Sequence, residues 1–192
     1  GAGPREVGSP SEQARLVRNS GLFDEDFYRS QLEPGEQVDD AALHYVTEGF
    51  QRNLKPSTVF MEAWYKSSAG LDKTAIAGLV AYLTSPAAGA SPHSMFPQQT
   101  YVERYPQSLE HAGGPLRHYL ENTEEIAPVE GERPELLPPR EFEALAQGAA
   151  HALLASRGYG HLPRIADDFD HEAAERFKDE LTSDPALLAD RP

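Results

Sequence analysis

The densest group of side chains able to bind a metal lies in the segment 167–175, Asp-Asp-Phe-Asp-His-Glu-Ala-Ala-Glu. On a helix, His171 and Glu175 are four residues apart and share a face, and Asp168 precedes them. Imidazole and carboxylate groups of this kind can hold a divalent cation for a hydrolase or transferase. Acidic residues at a helix start are also ordinary caps, and the second histidine of the H-E-x-x-H motif is missing. The metal site of Asp168, His171 and Glu175 is therefore an alternative prediction.

A second set of side chains suits contact with a glycan or a protein partner. His44 and His118 each stand directly before a tyrosine, Tyr45 and Tyr119, and Trp64 adds a large aromatic surface. Imidazole can bind sugar hydroxyls, and aromatic rings can stack on a ligand. The opposing interpretation is that the histidines pack or cap a helix interface. An alanine at the place 37 residues after His44 favours that second interpretation.

The sequence lacks other catalytic signatures. Without cysteine it has no disulfide, thiolate metal site or cysteine nucleophile. The glycine-rich segment 157–161, Arg-Gly-Tyr-Gly-His, lacks the Lys-Ser/Thr of a phosphate-binding loop and is typical of a helix stop. No nucleophile elbow or dinucleotide fingerprint is present. We expect no cofactor, and catalysis is not favoured.

A tyrosine-centred pattern occurs three times and organises residues 16–128. Each copy opens with phenylalanine and, five residues later, tyrosine, and closes on a second tyrosine in an apolar stretch. The opening pairs of copies one, two and three are Phe23/Tyr28, Phe60/Tyr65 and Phe96/Tyr101, and the closing residues are Tyr45, Tyr82 and Tyr119. The closing tyrosines are 37 residues apart, a period typical of stacked repeats that bury apolar faces against their neighbours.

Local signals within each copy predict two short helices joined by a turn. In copy one, Asp24 is placed to cap the first helix and Asp39 or Asp40 the second. Copy two predicts helices over Met61–Ser67 and Lys73–Leu83, with a break at Gly70. The fold class is therefore all-α: three helical-hairpin repeats of about 37 residues plus two non-repeat C-terminal helices. We expect the pattern tyrosines to form the core.

Composition changes after the third copy divide the chain into four predicted parts. Residues 1–15 are expected to be a flexible lead-in, although a short helix over 11–20 is indicated, and 16–128 form the repeat array. Residues 129–140, rich in Pro and Glu, are a linker, and 141–192 are a C-terminal helical segment. The first C-terminal helix carries Phe142, Leu145, Ala149 and Leu153, and the last runs from Asp170 to about Thr182.

The charge of the chain limits its partners. The net charge is −14, and residues 121–192 hold 17 acidic and 7 basic residues. Such a surface repels phosphate backbones, so nucleic acid is not expected as a partner. No apolar run is long enough for membrane insertion. The sequence fits a bacterial cytoplasmic location.

Residues 16–128 resemble a bacterial repeat of the form F-D-x-x-W-Y-L, then P-L-x-H-Y-L, that accompanies glycosyltransferases and other polysaccharide-biosynthesis proteins. Copy one matches in 20–28, Ser-Gly-Leu-Phe-Asp-Glu-Asp-Phe-Tyr, and copy three in 114–120, Gly-Pro-Leu-Arg-His-Tyr-Leu. Copy two keeps Trp64-Tyr65 but has Ala81 in place of the histidine, and Met61 and Pro97 replace the aspartate in copies two and three. The resemblance implies a context rather than a reaction.

The first functional hypothesis is a non-catalytic helical-repeat interaction or spacer module of a bacterial polysaccharide-biosynthesis or cell-envelope protein. Its expected partners are proteins of that pathway and, through weak contact, a glycan. The alternatives are a small divalent-metal-assisted hydrolase or transferase, or a purely structural subunit of a larger assembly.

Overall fold

The computed structural model describes residues 8–72, 75–85, 89–122 and 136–157. These residues form eight α-helices and no β-strand, so the all-α fold class is confirmed for them. The helices are α1 (Pro10–Asn19), α2 (Glu25–Ser30), α3 (Ala41–Thr47), α4 (Glu62–Ala69), α5 (Gly78–Thr84), α6 (Gln98–Arg104), α7 (Gly114–Glu121) and α8 (Pro139–Ser156). Two 3₁₀ segments, Gly49–Arg52 and Pro106–Glu110, follow α3 and α6.

The first three helices begin at side chains that accept their free backbone N–H groups. A capping box joins Ser9 and Glu12 at the start of α1. Asp24 caps α2, and Asp40 rather than Asp39 caps α3. Since the capping box starts α1 at Pro10, residues 10–15 of the expected lead-in are helical.

Later helices start less predictably. α5 begins at Gly78, five residues after the expected start. Ala77, the residue before it, has an extended backbone and no side chain that could cap the helix. α4 ends where expected, with Gly70 in the left-handed conformation that glycine adopts most readily. Pro97 directly precedes α6. The second predicted C-terminal helix lies outside the described residues.

The same aromatic contacts recur in each copy of the pattern. The opening phenylalanine packs on the tyrosine five residues later, with ring centroids 5.4–5.5 Å apart in all three copies. It also packs on the closing tyrosine of its copy, at 6.2, 5.7 and 4.8 Å. Such pairs contribute about 0.5–1.5 kcal/mol each beyond the burial of apolar area. The aromatic pattern therefore forms the core that the sequence predicts.

Helix α8 packs on copy three through the buried ring of Phe142. Phe142 contacts Phe96, Tyr119 and His93, with centroid separations of 6.3, 5.5 and 4.9 Å. The hydroxyl of Tyr119 donates to the backbone carbonyl of Leu137, two residues before α8. The segment that leads into α8 thus closes the side of copy three that carries Tyr119.

None of the helices in the described part of the chain is long and apolar enough to cross a membrane.

Candidate functional site

All six pattern tyrosines are buried, each at most 2 % exposed. They are Tyr28, Tyr45, Tyr65, Tyr82, Tyr101 and Tyr119. Burial raises the pKa of Tyr28, Tyr45, Tyr65, Tyr82 and Tyr119, so these five phenols stay neutral at physiological pH. A buried phenol ordinarily has a hydrogen-bond partner, and the partners of these hydroxyl groups show which segments each tyrosine connects.

The hydroxyl of Tyr45 crosses from copy one to copy two. It donates to Glu62 Oε2 at 2.5 Å and accepts the backbone N–H of Leu79 at 3.1 Å. Glu62 also accepts the N–H of Gly78 through Oε1, at 2.6 Å. Because the first N–H groups of a helix have no partner within the helix, Tyr45 and Glu62 together cap α5. We call this arrangement the tyrosine socket.

Copy three contains the same socket in a modified form. Tyr82 donates to Gln98 Oε1 at 2.7 Å and accepts the N–H of Leu116 at 2.9 Å. The residue before Leu116 is Pro115, which has no N–H, whereas copy two has Gly78 there. In copy two the Glu62 carboxylate accepts from Tyr45 and from the N–H of Gly78, and in copy three the Gln98 amide oxygen accepts from Tyr82. The two side chains thus hold the same place in the socket, one with an ionisable group and one without.

Copy one has residues equivalent to those that bind a tyrosine hydroxyl in copy two, but no tyrosine of the described residues is bound there. Glu25, Ala41 and Ala42 stand 37 residues before Glu62, Gly78 and Leu79, and all three line an open cavity of about 440 Å³. Asp40 caps α3 through the N–H of Leu43, and its other oxygen pairs with Arg18 at 2.9 Å at the edge of the cavity. This helix therefore has a cap of its own, which α5 lacks.

Glu62 is a fully buried carboxyl group. Its Oε1 lies 3.4 Å from Lys66 Nζ, and Lys66 in turn lies 4.5 Å from the ring centre of Phe50. Burial raises the pKa of Glu62 to about 7, against the opposing effects of Lys66 and of the hydrogen bonds from Tyr45 and Gly78. The cost of burying the charged form thus exceeds the gain from its partners.

The two pattern histidines hold the first tyrosine of their own copy. Tyr28 Oη and His44 Nδ1 are 2.6 Å apart, and so are Tyr101 Oη and His118 Nδ1. His44 Nε2 lies 3.4 Å from Glu48, and the ring of His118 packs edge-on against His111. Each histidine therefore joins the two helices of one copy.

The predicted contact residues occupy two different environments. Tyr45 and Tyr119 lie in the core, where each hydroxyl has an intramolecular partner. His44, Trp64 and His118 are half-buried and reach the surface. Trp64 Nε1 is buried and has no hydrogen-bond partner within the described residues.

The predicted metal ligands Asp168, His171 and Glu175 lie outside the described residues. Within the part that is described, no group of three or more metal-binding side chains could hold an ion.

Sequence reasoning missed Glu62 and Gln98, the acceptors of the two sockets. A signal was present, because Glu25, Glu62 and Gln98 hold equivalent places after the opening phenylalanine of their copies. An acidic residue at an uncapped helix start is ordinarily explained by its favourable interaction with the helix dipole. That explanation gives no reason to expect the hydrogen-bond partners that Glu62 and Gln98 have 16–17 residues away.

Comparison of the chain with protein-family models, with curated proteins and with solved structures finds no match.

Removing the Tyr45 hydroxyl should destabilise the protein measurably. In Tyr45→Phe the N–H of Leu79 and one oxygen of Glu62 lose their partner, and each unsatisfied buried group costs about 1–3 kcal/mol. Tyr65→Phe is the matched control, because no hydrogen bond of the Tyr65 hydroxyl is present within the described residues. Urea unfolding should show a loss of at least about 1 kcal/mol for Tyr45→Phe and well under that for the control. Equal losses would contradict the socket.

Glu62 should make the free energy of unfolding fall as pH rises from about 4.5 to about 7. The folded-state pKa is about 7 and the ordinary value is 4.5, so the folded protein binds more protons than the unfolded chain in this range. Glu62→Gln cannot titrate, so the free energy of unfolding of the wild type minus that of this variant should fall across the range, whereas the same difference for Glu110→Gln, at an exposed site, should stay constant. Urea unfolding at several pH values measures the difference. A wild-type advantage over Glu62→Gln that grows with pH would show that the ionised form is favoured instead.

Proposed function

We propose that the chain is a non-catalytic helical-repeat module of three hairpins of about 37 residues, which acts as an interaction or spacer element. The observation that carries this proposal is the tyrosine socket. Tyr45 and Tyr82, 37 residues apart, bind the following copy through the same pair of hydrogen bonds. An interaction repeated at the sequence period is what stacked repeats need, since each unit depends on contact with its neighbour.

The chemistry of the pattern residues supports a structural role over catalysis. Five of the tyrosines have a raised pKa because they are buried, so they stay protonated at physiological pH and are poorly suited to act as a base or a nucleophile. His44 and His118 are hydrogen-bonded to the core tyrosines of their own copies. The side chains that best resemble catalytic groups are thus engaged in holding the helices together.

The resemblance over residues 16–128 supports a place in bacterial polysaccharide biosynthesis or the cell envelope. Partner proteins of that pathway are the first class of ligand. A glycan is the second, and contact with it would use the surface parts of His44, Trp64 and His118.

The end of copy one offers a defined interaction face. Glu25, Ala41 and Ala42 surround an open cavity, while their counterparts in copies two and three hold a tyrosine. The Arg18–Asp40 pair at its edge is exposed, with side chains 48 % and 42 % accessible, so its opening costs at most about 1 kcal/mol. A partner with the same tyrosine pattern therefore fits this face. A second copy of this chain does not offer its last closing tyrosine, because Tyr119 is bonded to Leu137.

A soluble tyrosine analogue should bind the copy-one face. We expect N-acetyl-L-tyrosinamide, added to the ¹⁵N-labelled full chain, to shift the Ala41 and Ala42 amides saturably with a millimolar dissociation constant. N-acetyl-L-phenylalaninamide lacks the hydroxyl and should bind several-fold more weakly. Glu25→Ala should weaken tyrosinamide binding by a similar factor, whereas Asp26→Ala, a neighbouring exposed residue outside the cavity, should leave it unchanged.

Equal shifts with the two analogues would refute the hydroxyl-dependent face. Turnover of a sugar nucleotide by the purified chain would refute the non-catalytic assignment.

A further inference from the structure

A polar groove lies where α8 meets the starts of copies one and two. Its volume is about 270 Å³. Glu143, Gln147 and His151 follow one another at four-residue spacing along α8 and form one wall. Asp24 and Ser57 stand on the opposite side, where the N–H of Asp24 binds the carbonyl of Pro56 at 2.8 Å.

Two polar atoms of this groove are buried without a partner in the described part of the chain. They are Ser57 Oγ and His151 Nδ1. Ser57 is only 5 % exposed. Its counterpart in copy one, Ser20, donates to the carbonyl of Val17 and accepts the N–H of Leu22. An unsatisfied buried polar group costs about 1–3 kcal/mol, so a ligand that pairs with these atoms would gain affinity from them.

The polar groups of the groove define the chemistry of the ligand. Asp24 and Glu143 are acceptors, and because Asp24 Oδ1 already binds the N–H of Phe27 at 3.0 Å, its Oδ2 remains for a ligand. Gln147 and the Ser57 hydroxyl both donate and accept. Two carboxylates line the groove and neither lysine nor arginine does, so the local charge disfavours phosphate and carboxylate ligands. A hydroxyl group both donates and accepts, so a ligand that carries several hydroxyl groups can pair with the carboxylates, with Gln147 and with Ser57.

Apolar groups complete the groove. Phe23 and Phe27 line it beside the polar side chains, and the ring of Phe27 packs edge-on against His151 at 5.9 Å. A sugar ring presents hydroxyl groups at its edge and C–H groups on its faces, which matches a wall of this mixed kind. The volume lies just below the roughly 300 Å³ at which sites for drug-sized ligands begin, so one ring fits and a chain of rings would extend out of it.

We propose that this groove binds a neutral polyhydroxylated ligand of the size of one sugar ring, through Asp24, Ser57, Glu143, Gln147 and His151. The site deepens the proposed function and rests on it for its biological context. It assigns glycan contact to residues other than the pattern histidines and tryptophan. Its ligand class follows from the donors and acceptors of the groove alone.

The test is an NMR titration of the ¹⁵N-labelled full chain with methyl glycosides of glucose, galactose, mannose and N-acetylglucosamine. At least one should shift the Ser57 and His151 amides saturably, with a millimolar dissociation constant. The double variant Glu143→Ala/Gln147→Ala should weaken binding about tenfold, as expected for two lost hydrogen bonds. Glu141→Ala is the matched control: it lies on the same helix, is exposed and does not line the groove, so it should bind as the wild type does.

Any of the following four outcomes would overturn the inference. The first is the absence of a saturable shift with all four glycosides, and the second is equal binding by the double variant. The third is tighter binding of glucose 6-phosphate than of the neutral glycosides, which would mean that an anion is preferred. Shifts confined to His44, Trp64 and His118 would place the glycan at the pattern residues instead. The groove result is independent of the tyrosinamide titration, so either proposal can fail alone.

Discussion

A tyrosine hydroxyl accepts a backbone N–H at the start of two helices that have no capping side chain of their own. α5 follows Ala77 and α7 follows Gly113, and neither residue supplies a side-chain acceptor. Tyr45 and Tyr82 supply it from the preceding copy. Helices of 7–8 residues are not stable alone in water. The start of each of these helices therefore depends on the copy before it. Copies that follow one another in the sequence are thus the ones that pack together.

This constraint explains why the interior is more polar than an aromatic core requires. A phenol that accepts one N–H still has a proton to donate, so an acceptor must lie beside it. Glu62 is that acceptor for Tyr45, and its burial disfavours the charged form of the carboxyl group. Gln98 is the acceptor for Tyr82 and has no charge, in the copy where Pro115 has no N–H to donate. Copy one, whose socket holds no tyrosine, caps α3 with Asp40 instead. Differences among the copies thus follow the hydrogen bonds each copy has to satisfy.

Local chemistry made part of this fold predictable from the sequence. The cap Asp24, a cap at Asp39 or Asp40, the stop at Gly70 and the burial of the tyrosines all follow from residue type and spacing, and the structure selects Asp40. The start of α5 did not follow, because its cap comes from Tyr45, more than 30 residues earlier.

The polar groove was equally hidden from sequence reasoning. The periodic pattern ends before α8, and nothing in the spacing of Phe142 fixes the helix against copy three. Ser57 and His151 are 94 residues apart, and only that packing brings them to one groove. The predictable caps and stops act within one helix or turn, whereas the cap of α5 and the groove join distant segments.

Native-state hydrogen exchange of three equivalent backbone amides tests the central claim most directly. The early N–H groups of a helix lack an intrahelical acceptor and are ordinarily unprotected. Leu79 and Leu116 should nevertheless exchange as slowly as amides in the middle of α8, because Tyr45 and Tyr82 bind them. Ala42, the equivalent amide of copy one, has no acceptor in the described part of the chain and should exchange quickly. Fast exchange of Leu79 and Leu116 at the rate of Ala42 would contradict the account.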